Sequence, residues 1–298
     1  MRDFLRKLMP QFLLSWYRKR KKSKRNKALN QSRDAGYVLS KSDLVDGIRK
    51  IGVEKGDTIL VHSSLSKIGY VSEGPKTVVD AFLEVIGSEG NLLMPTSPNA
   101  SLQLDYIRGL QVFDVANDPS SLGAITEYFR KLPGVIRSEH PTEPVACIGP
   151  EAEYFTSGHF GSLTPYDSNS PFYKVGKKKG KILYLGVTLD NAGTSLHTLE
   201  DAIENFIYPV YYNETFEVDV RFADGSLKKM ITKVHNPKQS AKRKCDGLIP
   251  LFIKKGVMKD EKIGEARALL VDAEGMFECM ISEYRDNGVT MYTPDGVS

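Results

Sequence analysis

His197 and Glu200 are the pair in this chain best placed to do chemistry together. They stand three residues apart, so on a helix both side chains share one face. A carboxylate beside an imidazole fixes which ring nitrogen carries the proton and leaves the other free to accept one. That is a general-base arrangement. Asp201 and Glu204 continue the acidic face, either to attract a cationic substrate or as the solvated side of a helix. A second group lies earlier: His62 ends an apolar run, and the small or hydroxyl-bearing segment Ser63, Ser64, Leu65, Ser66 to Gly69 follows it. Such a loop lets backbone N–H groups approach an anionic ligand, although an ordinary strand–helix connection reads the same way. Thr96, Arg137 and His140 complete the polar candidates: a hydroxyl donor, a planar fork suited to phosphate, and a ring that positions the site.

The elements that must hold these groups follow from periodicity. Ile182 to Val187 is a short apolar run bounded by glycines, which predicts a buried strand. Ser195 then caps the helix bearing His197, at the carboxyl end of a strand, where open α/β sheets bind ligands. TILVHSSL and NLLMPT predict two more strands. A helix starts at Ser40 or Ser42, with Leu44, Val45, Ile48 and Ile51 as its buried stripe. Another starts near Pro75, and Ser170 caps a third that begins at Pro171. Residues 97–122 lack sustained periodicity and read as a long loop or lid. Leu122–Leu132 is a further helix, and Phe216–Val220, Asp224-Gly225 and Leu227–Val234 read as a hairpin. Helical segments around Asp246–Lys255 and Ala273–Asp286 end the chain. The expected fold is a three-layer α/β/α sandwich with a central mixed sheet and a small β-hairpin subdomain, preceded by an N-terminal basic amphipathic helix. Residues 1–35 form that extension and 36–298 the catalytic domain.

Five segments in this order resemble the aminoglycoside 3-N-acetyltransferase family, from about Lys41 to Asn287: GDTILVHSSLSKIGYVSEG, GNLLMPT, the long stretch ending in RSEHP, SNSPFYKV, and YLG…LHTLE. The resemblance implies an acetyl-CoA-dependent N-acetyltransferase acting on an amino group of an aminoglycoside or related amino sugar. It implies His197 as base with Glu200 holding it, and Ser63, Ser64, Leu65, Ser66 and Gly69 at the coenzyme site. Arg137 and Thr96 are expected beside the coenzyme, and Asp201, Glu204 and His140 beside the substrate. Two departures stand out: Pro144 occupies a position where the family commonly has serine, and the acidic loop of antibiotic-modifying members is largely missing. These leave open a nucleotide-linked amino sugar of surface-polysaccharide assembly as the acceptor.

Composition narrows the field further. The chain has 298 residues, 41% hydrophobic, enough for one large α/β domain. Cys147, Cys245 and Cys279 form no CxxC, which suggests a reducing compartment and neither disulfide nor zinc finger. No metal is assigned. The rival class is a metal-dependent hydrolase using His197, Glu200 and Glu204, with His62, but no HExxH-type motif supports it. The net charge of +4 hides an asymmetry: residues 1–28 hold eleven Lys/Arg and one Asp, so the body is acidic. Leu5, Leu8, Met9, Phe12, Leu13 and Trp16 make one apolar face ahead of a basic block at Arg18–Arg25. The apolar part is too short to span a bilayer, and no cleavage site marks a signal peptide. An anchor on an anionic inner leaflet is the expected role, which makes the protein cytoplasmic and peripheral. A helix for homo-oligomer packing and a solvated arm are the alternatives. The basic block has no interleaved aromatics, so nucleic acid is not an expected partner.

Overall fold

The computed structural model describes residues 37–297, together with Arg20, Ser23 and Asp34. The expected N-terminal amphipathic helix therefore lies outside the described residues. A seven-stranded sheet organises the rest, in the order β4-β5-β2-β1-β6-β10-β9. Its strands are β1 (Thr58–Ser63), β2 (Asn91–Pro95), β4 (Ile136–Arg137), β5 (Val145–Ile148), β6 (Lys181–Leu185), β9 (Met258–Ile263) and β10 (Ala266–Asp272). β1 is parallel to both β2 and β6, and all other pairs are antiparallel, so the sheet is mixed as expected.

Alternation along the strands sends side chains into two cores. Ile59 and Val61 join Leu92, Met94, Leu183 and Leu185 on one face, under α1 (Lys41–Ile51), α2 (Pro75–Ile86) and α3 (Ala124–Phe129). Leu60, Leu93, Ile182 and Tyr184 point the other way, toward α4 (Pro171–Lys177), α5 (Thr198–Ala202) and α7 (Ala273–Asn287). These are the three expected layers. Local chemistry sets the helix starts. Ser40 caps α1 in a reciprocal box, its N–H donating to Asp43 Oδ2 at 2.8 Å while Asp43 N–H donates back. Pro75 opens α2, and Ser170 accepts from Tyr173 N–H ahead of Pro171. Gly149 is required by its surroundings: at φ +141°, an added Cβ would meet the Gly90 carbonyl oxygen at 2.5 Å.

Three expectations need correction. The region 97–122 is not one loop: it contains a helix at Gln103–Gly109 and β3 (Val112–Asp114). β3 pairs in parallel with β7 (Phe216–Arg221), which pairs with β8 (Leu227–Thr232), so the expected hairpin is part of a three-stranded sheet. Short β3 has too few residues to show a period of its own. The β9–β10 pair near the C-terminus was not expected, because its outer strand MKDEKI buries only its end residues. Ser195 does not cap a helix. It lies within a 3₁₀ turn, Thr194–His197, and α5 starts directly after His197.

Candidate active site

The parallel strands β2, β1 and β6 end on one edge of the sheet, and a cavity of about 300 Å³ opens there. Pro95 from β2, His62 and Ser63 from β1, and Val187 just after β6 form its floor. The chain leaving β6 turns back over this edge and is pinned by Asp246, which accepts from Thr188 Oγ1 at 2.8 Å and Asp190 N–H at 2.9 Å. That turn delivers His197 to the cavity wall.

His197 and Glu200 are bonded as their spacing predicts, with Nδ1 2.9 Å from Glu200 Oε2. The carboxylate does more than hold one ring. Oε2 also contacts His235 Nε2 at 3.0 Å, and Oε1 accepts from the Tyr292 hydroxyl at 2.7 Å. Both imidazoles therefore present N–H to Glu200, which leaves His197 Nε2 as a lone pair. Tyr166 packs against both rings, and Tyr211 stacks on His235 with centroids 5.1 Å apart. Burial alone would raise the Glu200 pKa, but His197 and His235 outweigh it and hold the carboxylate ionised. Burial, followed by the charge of Arg243, keeps His197 well below the ordinary imidazole value, against the pull of Glu200. The resting pair is a neutral base beside a fixed anion.

A second groove, of about 680 Å³, is lined by Ser63, Ser64, Leu65, Ser66 and Gly69, with Tyr70–Val71 and Leu122–Ile125 opposite. All five loop residues singled out in the sequence meet there. Ser63 and Leu122 border both spaces, so groove and cavity adjoin.

Other candidates sit elsewhere. Arg137 lines neither space. Its guanidinium is spent on Thr96 Oγ1 and on the carbonyls of Val115, Asp118 and Thr96. It staples the β3 loop to the main sheet, four of its five N–H donors being placed on these acceptors; Thr96 is consumed by the same contact and by Pro144 O. Arg137→Ala is accordingly expected to destabilise the fold by about 2–3 kcal/mol, as loss of charge-assisted bonds does. Denaturant melts measure this, and a variant of unchanged stability but weakened coenzyme binding would contradict the reassignment. His140 is buried between Thr142 and Thr232 and packs on His159, tying β8 to the segment before β5. Asp201 accepts from Thr164 and from Tyr211, so it orients the ring stacked on His235 and does not face the cavity. Glu204 is exposed beyond the end of α5.

His235, Tyr292, Arg243, Gln103, Tyr166 and Glu143 were missed. No local pattern marks them, because they arrive from separate loops and, for Gln103, the start of a short helix, all distant in sequence. Glu204 cannot complete a metal set, but His197, Glu200 and His235 offer ligand atoms within 4.8 Å of one another. Those atoms are already matched to each other as hydrogen-bond donors and acceptor, so a cation would have to displace those contacts.

A mixed sheet with a buried histidine–carboxylate pair at its carboxyl edge, beside a long groove, defines an α/β protein with a titratable cluster set in a sheet-edge cavity. Residues 60–284 match the family model for aminoglycoside 3-N-acetyltransferase, and the chain belongs to that family. Aminoglycoside N(3)-acetyltransferase VIII of Streptomyces fradiae is 31% identical over 183 residues, covering 57% of this chain and 63% of the relative. The chain thus spans less than two thirds of that relative's length. The crystal structure of aminoglycoside acetyltransferase AAC(3)-Xa shares the fold, with TM-score 0.74 at 24% identity over 89% of this chain and 98% of that one. AAC-IIIb in a binary complex with CoASH has TM-score 0.69 at 25% identity, over 83% and 97%. Among the described residues, no helix is long and apolar enough to cross a membrane.

Proposed function

We propose that this protein is an acetyl-CoA-dependent N-acetyltransferase acylating an amino group of an aminoglycoside or related amino sugar. The observation that carries this reading is His197, oriented by Glu200, on the wall of a cavity that adjoins the Ser63–Gly69 groove. CoASH is the ligand of one structural relative, and the groove is where the coenzyme would lie here. Ser63, Ser64, Leu65, Ser66 and Gly69 are its proposed contacts. The acceptor amine enters the cavity, and His197 Nε2 takes its proton as nitrogen attacks the thioester carbonyl. Collapse of the tetrahedral intermediate breaks the C–S bond, and the imidazolium returns the proton to the leaving sulfur. Amine and thioester become amide and thiol, with Glu200 stabilising the transient imidazolium. Release of free thiol from acetyl-CoA with a panel of aminoglycosides and simpler amino sugars tests the reading. Turnover supports it. Coenzyme binding without turnover on any amine would overturn it.

Residues 1–28 are proposed to rest on an anionic membrane surface, since an apolar face precedes seven basic residues in the eight positions Arg18–Arg25. Deleting them is expected to abolish co-sedimentation with phosphatidylserine vesicles while turnover of soluble substrate stays within about twofold. A truncated protein that still sediments with vesicles would refute the anchor.

A further inference from the structure

The charge of the acceptor cavity is unlike what a polycation requires. Among the described residues lining it, Glu143 is the single carboxylate and Arg243 the single permanent cation. Glu200 does not line the cavity: it stands behind His197 and His235, and both its oxygens are taken by those rings and by Tyr292. Glu143 is bonded to Gln103 Nε2 at 2.7 Å, and burial pushes it up to about 7, so it carries only part of a charge near neutrality. Arg243, by contrast, has two donor nitrogens, Nε and one terminal NH2, that are buried without a hydrogen-bond partner among the described residues. Buried guanidinium donors are normally matched, and their fork fits a carboxylate or phosphate. The segment that brings Ser240 and Arg243 to the wall, α6 (Pro237–Ser240) and the residues after it, also bears exposed Lys238, Lys242 and Lys244. At about 300 Å³ the cavity is also at the small end of the roughly 300–1,000 Å³ range of ligand sites.

We propose that the acceptor is a compact amino sugar carrying an anionic substituent, a phosphate or a carboxylate, which Arg243 holds while the amine faces His197. This rests on the acyl-transfer reading above and narrows its acceptor. The competing account is that Arg243 acts only through Glu200 and the two histidines, without touching substrate.

Matched acceptors separate the two. Thiol release and calorimetric binding are measured with glucosamine, glucosamine 6-phosphate, 2-amino-2-deoxyglucuronic acid and sisomicin, on wild type, Arg243→Gln and Arg243→Lys. One or both anionic acceptors should exceed glucosamine and sisomicin in kcat/KM by about tenfold or more, as charge-assisted pairing implies. The difference should lie in KM, and whether the phosphate or the carboxylate leads identifies the group. Arg243→Gln should collapse the preference toward one, and Arg243→Lys should keep part of it by retaining charge without the fork. Sisomicin turned over as well as the anionic sugars would overturn the proposal. So would a fall in kcat common to every acceptor in Arg243→Gln with the preference unchanged. If no acceptor releases thiol but binding still favours the anionic sugars through Arg243, the acyl-transfer reading fails and the anion site stands. No release and no binding preference would sink both.

Discussion

His197→Ala is expected to lower kcat for thiol release by about 10²–10⁴-fold, the usual contribution of a general base, while acetyl-CoA still binds. The ring is oriented by Glu200 at 2.9 Å, so its free nitrogen is Nε2, and the residue lines the cavity but not the Ser63–Gly69 groove proposed for the coenzyme. Truncation should therefore leave coenzyme affinity within about twofold, which calorimetry would show. Wild-type kcat should keep its plateau below the ordinary imidazole range, because burial and Arg243 hold the ring neutral. A loss smaller than about tenfold would shift attention to His235. That ring borders the same cavity and contacts the same carboxylate oxygen at 3.0 Å.

The second large effect concerns Glu200, and it is one of stability as well as rate. Glu200→Ala strands three buried donors at once: His197 Nδ1–H, His235 Nε2–H and the Tyr292 hydroxyl. Removing one member of a buried charged network costs about 3–5 kcal/mol, and denaturant midpoints should fall accordingly. The pH dependence has a definite sign. Glu200 is held below its unfolded value of 4.5 by His197 and His235, although burial would raise it. Its contribution is therefore complete above about pH 4.5 and is lost as pH falls through the folded pKa. The alanine variant should lack that part of the acid sensitivity. If Glu200→Ala melts like the wild type at pH 7, the three contacts are not the anchor of the site. Turnover should fall too, since nothing then selects the His197 tautomer.

Much of this was readable from residue order. The cap at Ser40, proline at the start of α2 and α4, and apolar runs in β1, β2 and β6 each report a requirement met within a few residues. The His197–Glu200 pair is of that kind, because one helical turn suffices to join them. So is the Ser63–Gly69 loop, whose small residues directly follow β1. Arg137 shows where such reading stops. Its type suits a phosphate, but the structure surrounds it with backbone carbonyls from the β3 loop and from Thr96 just after β2, which no spacing rule anticipates. Asp201 failed for a similar reason. An acidic residue next to the His197–Glu200 pair invites a substrate role, whereas Tyr211 and Thr164 already take up its oxygens.

The sequence by itself determined the family, the layered α/β architecture and the one pair of residues that meet through local geometry. Tertiary structure alone decided that Glu200 serves two histidines and a tyrosine. His235 lies 35 residues beyond it and Tyr292 lies 92 beyond it, and they arrive after β8 and after α7 respectively. Tertiary structure also placed Arg243 on the cavity wall with donors unpaired. The physical reason is common to all of these. Periodicity and capping are short-range and leave a mark on neighbouring residues. Convergence of side chains from separate loops depends on how sheet edges and crossovers bring distant segments together, and that leaves no mark along the chain.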